Sequence, residues 1–153
     1  MTAHGNVITY NGEIYNYLEL KKELQNLGYQ FTSASDTEVI LAAYAHWGSD
    51  CVQRFRGMWA FAIYDRKRQI VFCARDRFGI KPFYYTRLQG DFYFASEIKA
   101  FSVLPDWSAT WDTDYVARFI YAGQQHPERK TIFSRVFQLP PGHPLSFKLA
   151  DQS

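Results

Sequence analysis

Long apolar runs are missing from this 153-residue sequence, so it contains no candidate membrane span. No leader-like apolar stretch stands near Met1, and cytoplasmic residence is the expectation. Charge of one sign is also scarce. The net charge is +2 and the lysines and arginines are dispersed, which argues against a nucleic-acid footprint. Cysteine is nearly absent: Cys51 and Cys73 cannot build a disulfide framework. His4, His46, His126 and His143 are scattered without metal-ligand spacing, so no metal and no cofactor are expected. Internal repeats and low-complexity segments are lacking too. What is abundant is apolar and aromatic side chain, 47% and 18% of the residues, with 13 Phe and 11 Tyr. A chain of this size and composition is long enough to fold as one domain around its own core.

The pattern of residues gives an α+β order. Asn6–Tyr10 reads as a strand that runs into a sharp turn at Asn11-Gly12 and then a helix. Asn16 and Glu19 have capping-box spacing, and Tyr17, Leu20, Leu24 and Leu27 recur at helical intervals before Gly28. Tyr29–Thr32 reads as a short strand. Ser35 or Asp36 caps a second helix carrying Val39, Ile40, Ala43, Tyr44 and Trp47, stopped at Gly48, and Ser49-Asp50 starts a short third one. Met58–Tyr64 and Gln69–Ala74 form a hairpin across a charged turn, and Phe83–Thr86 pairs with Phe92–Ala95. Both parities of Met58–Tyr64 are apolar, so that strand is expected to be covered on both faces. Asp114–Tyr121 reads as a helix, Gln124–Lys130 as a loop, and Val136–Leu139 and Leu145–Leu149 as weak strands around Pro140-Pro141-Gly142.

Chemistry is concentrated near the start of the sequence. An Asn carboxamide beside a Gly N–H is the donor pair that holds an oxyanion during acyl transfer, and Asn11-Gly12 supplies it. The same dipeptide is also a strong turn signal. Asp36 suits an ammonium group, and equally suits a helix N-cap. Cys51 and Cys73 sit among apolar neighbours and read as small buried side chains. Thr2, the residue exposed by removal of Met1, lies roughly 30 Å from Asn11 if the intervening chain is extended.

The blocks Asn11-Gly12-Glu13-Ile14-Tyr15-Asn16, Ser35-Asp36-Thr37-Glu38, Arg56–Ala62, Arg75–Pro82 with Phe83-Tyr84-Tyr85, Ala95–Ala100 and Leu139–His143 occur in order along nearly the whole chain. Together they resemble the glutaminase domain of asparagine synthetases, class II glutamine amidotransferases of the N-terminal-nucleophile hydrolase superfamily. The resemblance implies a four-layer αββα sandwich, incomplete here because its first strands are missing. It implies that residues 1–104 are a partial amidotransferase domain, and that 105–153 complete the domain and begin the linker to an absent synthetase domain. It implies L-glutamine as ligand, Asn11 and Gly12 as the oxyanion hole, Asp36 as the partner of the substrate ammonium, and Glu13 in the same pocket. Position 1 is Met where the family has its nucleophilic Cys, and no arginine for the substrate carboxylate precedes Asn11. The expectation is a truncated glutaminase domain that is inactive alone. The alternatives are a non-catalytic amino-acid-binding or assembly module, and one piece of a split enzyme completed in trans. A homodimer, or a strand exchange, that covers the exposed flank is expected, with fold-back of Val136–Leu139 and Leu145–Leu149 as the weaker option.

Overall fold

The computed structural model describes residues 1–123 and 129–149. It divides into two compact units, Met1–Lys81 with the segment from Gly142 onward, and Pro82–Pro141. Most of the loop expected at Gln124–Lys130 lies outside the described residues.

The first unit begins with a hairpin. β1 (Thr2–Ala3) turns at His4-Gly5, where φ is 52° and 79°, and pairs with β2 (Asn6–Ile14). Two successive positive φ values are what a two-residue hairpin turn demands. Thr2 therefore lies opposite Val7 rather than at the far end of an extended segment. β2 continues straight through Asn11 and Gly12, which pair with Ala60 and Trp59 of β3 (Gly57–Asp65). The expected turn at Asn11-Gly12 is thus strand, because a partner strand is available along its whole length.

Two helices follow β2, α1 (Tyr17–Asn26) and α2 (Asp36–Trp47). Asn16 stands at the start of α1 without capping it. Its carboxamide instead donates to Arg54 O at 3.0 Å and accepts from Arg56 N–H at 2.9 Å, tying the helix start to the entry of β3. Tyr29–Thr32 forms no strand, since Thr32 N–H goes to a Glu38 carboxylate and no neighbouring strand offers a ladder. A short 3-10 helix (Gly48–Arg54) leads into β3, which pairs with β4 (Ile70–Arg75). β8 (Pro144–Lys148) then joins β4, giving the antiparallel order β1-β2-β3-β4-β8. Ile8, Ile14, Phe61, Ile63 and Phe72 from one face of this sheet share a core with Leu20 and Leu24 of α1 and Val39–Tyr44 of α2. α2 is buried all round from Glu38 to Tyr44, more than its expected inner face.

In the second unit β5 (Tyr84–Leu88) lies between β6 (Asp91–Ala95) and β7 (Phe137–Gln138), all antiparallel. Phe83 stacks on Phe94 with centroids 5.5 Å apart. α3 (Thr113–Ala122) is capped by Asp112, whose carboxylate accepts from Tyr115 N–H at 2.9 Å. The two weak C-terminal strands thus end in different sheets, β7 on β5 and β8 on β4. No described helix is long and apolar enough to cross a membrane.

Candidate active site

The end of the β2–β3 ladder is set by two glycines. Gly12 has φ +148°, and a Cβ there would collide with Met58 O and lie 2.6 Å from Trp59 Cα. Gly57 has φ +149°, and its Cβ would run into Glu13 O. Only glycine tolerates both the dihedral and the approach at these two positions. The backbones therefore close tightly where Asn11, Gly12 and Glu13 sit.

Register then decides where their groups point. Tyr15 N–H donates to Arg56 O at 2.7 Å, which makes that pair hydrogen-bonded. In an antiparallel ladder hydrogen-bonded pairs alternate, so Asn11↔Ala60 is of the same kind and Gly12↔Trp59 is not. Trp59 agrees: its N–H donates to Asp76 Oδ2 at 3.3 Å and its O accepts from Asp76 N–H at 2.7 Å, both away from β2. The Gly12 N–H consequently faces the outer edge of β2, beyond the reach of the first strand, whose pairing ends at Ile8 with the Met1 bonds. Strand alternation turns Ile8 and Ile14 into the helix-side core and Asn11 and Glu13 to the opposite face. Asn11 is half-buried and Glu13 exposed.

Asp36 reaches this same edge. Ser35, not Asp36, caps α2, its hydroxyl accepting from Thr37 N–H at 3.1 Å. Asp36 is thereby left to accept from Ile14 N–H at 3.0 Å and from the Tyr10 hydroxyl at 2.7 Å. Those two donors flank Asn11-Gly12 in sequence, and Ile14 N is roughly 7 Å along the strand from Gly12 N. Burial, and after it the hydrogen bond to Asp36, raises the Tyr10 pKa, so the phenol stays protonated as a donor. Asn11, Gly12, Glu13 and Asp36 line none of the four described cavities of about 250–490 Å³. They form an open strand edge with a carboxylate beside it.

The residue that sequence reading passed over is Glu38. It is buried, and its carboxylate accepts from Thr32 N–H and hydroxyl and from Ser33 N–H and hydroxyl at 2.6–3.1 Å. This fixes the loop that delivers Asp36. The signal was the Ser35-x-x-Glu38 spacing of a capping box, with the glutamate reaching farther back than usual. Burial would raise the Glu38 pKa, but the bonds from Ser33 and Thr32 outweigh it and hold it at about 2 against an ordinary 4.5. A depressed folded-state pKa contributes stability above 4.5 that is lost as pH falls towards 2. Glu38→Gln is expected to lower stability by about 2 kcal/mol at neutral pH. In urea titrations the gap to the parent should narrow below pH 4.5.

The thiols are far from nucleophilic. Cys51 is fully buried, and burial with the neighbouring Asp50 charge pushes it up to about 12. Cys73 is buried and likewise raised by burial. Thiolates, not thiols, attack carbonyls.

Two antiparallel sheets with helices give the chain the fold of N-terminal-nucleophile-hydrolase amidotransferases. Glutamine phosphoribosylpyrophosphate amidotransferase from Bacillus subtilis, complexed with ADP and GMP, superposes with a TM-score of 0.58 at 26% identity, over 67% of this chain and 24% of that one. The family model described as "glutamine amidotransferase domain" matches residues 1–153, and the chain belongs to that family. Asparagine synthetase (glutamine-hydrolyzing) 3 of Bacillus subtilis is 44% identical over 92% of this chain and 23% of its own length. Putative asparagine synthetase (glutamine-hydrolyzing) 2 of Methanocaldococcus jannaschii is 42% identical over 94% of this chain and 27% of its own. The sequence thus corresponds to the amidotransferase domain of asparagine-synthetase-like proteins and spans about a quarter of their length.

Proposed function

We propose that this chain contributes the glutamine-holding part of a glutaminase site in an asparagine-synthetase-like amidotransferase. The observation that carries the reading is the edge of β2, where Asp36 bonds to Tyr10 and Ile14 on either side of Asn11-Gly12. In it the Gly12 N–H and the Asn11 carboxamide hold the oxyanion formed when the glutamine carboxamide is attacked, and preorganised donors of this kind stabilise developing charge. Asp36 receives the substrate ammonium, exchanging a backbone bond for a charge-assisted one. Glu13 lines the approach. Residues 1–104 and 105–153 belong to one such domain.

Neither thiol of this polypeptide is placed or charged for attack, and Thr2 pairs with Val7, roughly 13 Å along β2 from Asn11, so in this reading the nucleophile comes from outside these 153 residues. The polypeptide by itself is then inactive. Without a nucleophile only the residual effect of the oxyanion site remains, orders of magnitude below the parent rate. Ammonia release from L-glutamine by the purified 153-residue chain is expected to be indistinguishable from buffer. Turnover near 1 s⁻¹, an ordinary enzyme rate, would sink the reading.

A second reading follows from the same edge. β2 beyond Ile8 presents outward backbone groups that another strand can pair with. A chain completed by a further segment, or by a second copy as a homodimer, would use it.

A further inference from the structure

A cleft of about 400 Å³ opens on the helix-side face of the five-stranded sheet, away from Asn11 and Glu13. Arg56, Arg75, Arg77 and His143 line it together with Phe55 and Trp59, and no aspartate or glutamate does. Its three walls are cross-linked through backbone. Asp76 N–H donates to Trp59 O at 2.7 Å, Gly142 N–H to Asp76 O at 2.8 Å, and Arg75 N–H to His143 O at 3.4 Å. The cleft is therefore formed in advance of any ligand, which lessens the ordering cost of binding.

The arginines divide into two kinds. Arg75 is buried and donates to Lys81 O and Gly79 O, both at 2.7 Å, so it braces the loop. Arg56 and Arg77 are exposed and make no ion pair among the described residues. The neighbouring Asp76 carboxylate makes no ion pair with either; its oxygens accept from backbone N–H groups instead. Two uncommitted guanidinium groups lining a cleft without acids fit a multiply charged oxyanion.

We propose that this cleft is a binding site for a phosphate-bearing small molecule, with Arg56 and Arg77 as the partners of the anion. A phosphate dianion offers several acceptor oxygens to two forks of donors and balances both charges, which a monocarboxylate does not.

The test is a titration of the ¹⁵N-labelled chain with inorganic pyrophosphate, followed at the Trp59 indole and the Gly142 and His143 amides. Saturable shifts confined to these groups are expected. Arg56→Gln and Arg77→Gln should each weaken binding about tenfold, the loss of one charge-assisted contact, with the remaining spectrum unchanged because both side chains are exposed. Arg66→Gln, in the β3–β4 turn, should leave binding as it is. An equal loss in Arg66→Gln would show unspecific attraction and overturn the site. Succinate binding as tightly as pyrophosphate would overturn the phosphate assignment, and the absence of shifts at Trp59 and Gly142 would overturn both.

Discussion

Asp76→Ala is expected to lower the thermal midpoint by roughly 10 °C. Asp76 is 1% exposed. Its Oδ1 accepts from Phe78 and Ile80 N–H, and its Oδ2 from Trp59 and Lys81 N–H, at 3.0–3.3 Å. Its own backbone holds Trp59, Gly79 and Gly142. Truncation leaves four amides without their acceptor, at about 1 kcal/mol or more each. Asn at the same position keeps the shape but turns an NH₂ towards two donors, so it should recover no more than half. Circular-dichroism melts of the three proteins decide it. A midpoint within about 2 °C of the parent for Asp76→Ala, under 1 kcal/mol for this chain length, would show that water replaces the carboxylate.

Gly12→Ala is the second large effect. The new methyl meets backbone atoms of Met58 and Trp59, not a flexible side-chain end, and φ of +148° is unfavourable for alanine. Backbone has to move on one of two paired strands. About 3 kcal/mol is the expected loss, a combination of strain and broken pairing. The damage should be local: amide exchange accelerates from Asn11 to Ile14 and in Gly57–Trp59, while β4 and β8 stay protected. Unchanged exchange in β2 would mean that the ladder end is looser than its geometry.

The sequence made the helices and hairpins legible where periodicity and breakers coincided. The β3–β4 hairpin and α2 stop within a residue or two of their expected ends because Gly48 and the Asp65–Gln69 turn are strong punctuation. It misled at Asn11-Gly12. A turn dipeptide becomes strand when a partner accepts its backbone, and here Gly12 is required by close approach rather than by a turn. Asn16 shows the same tertiary override, with a side chain drawn from its helix to Arg54 and Arg56. Asp36 was legible as an acidic residue at a helix start, but its reach to Tyr10 and Ile14 depends on Ser35 taking the cap. Glu38 was signalled only by its capping-box spacing from Ser35, and Asp76 gave no sign in sequence of the four donors that fold around it.

On the proposed function, the outer edge of β2 receives glutamine. This is tested most directly by titrating L-glutamine into the ¹⁵N-labelled chain and its Asp36→Asn variant. Weak saturable binding is expected, of millimolar order for a site without its remaining half. The Gly12 and Ile14 amides and the Asn11 side-chain amide should move together, and Asp36→Asn should abolish the effect. Shifts that avoid Asn11–Ile14, or binding that survives in Asp36→Asn, would contradict the account.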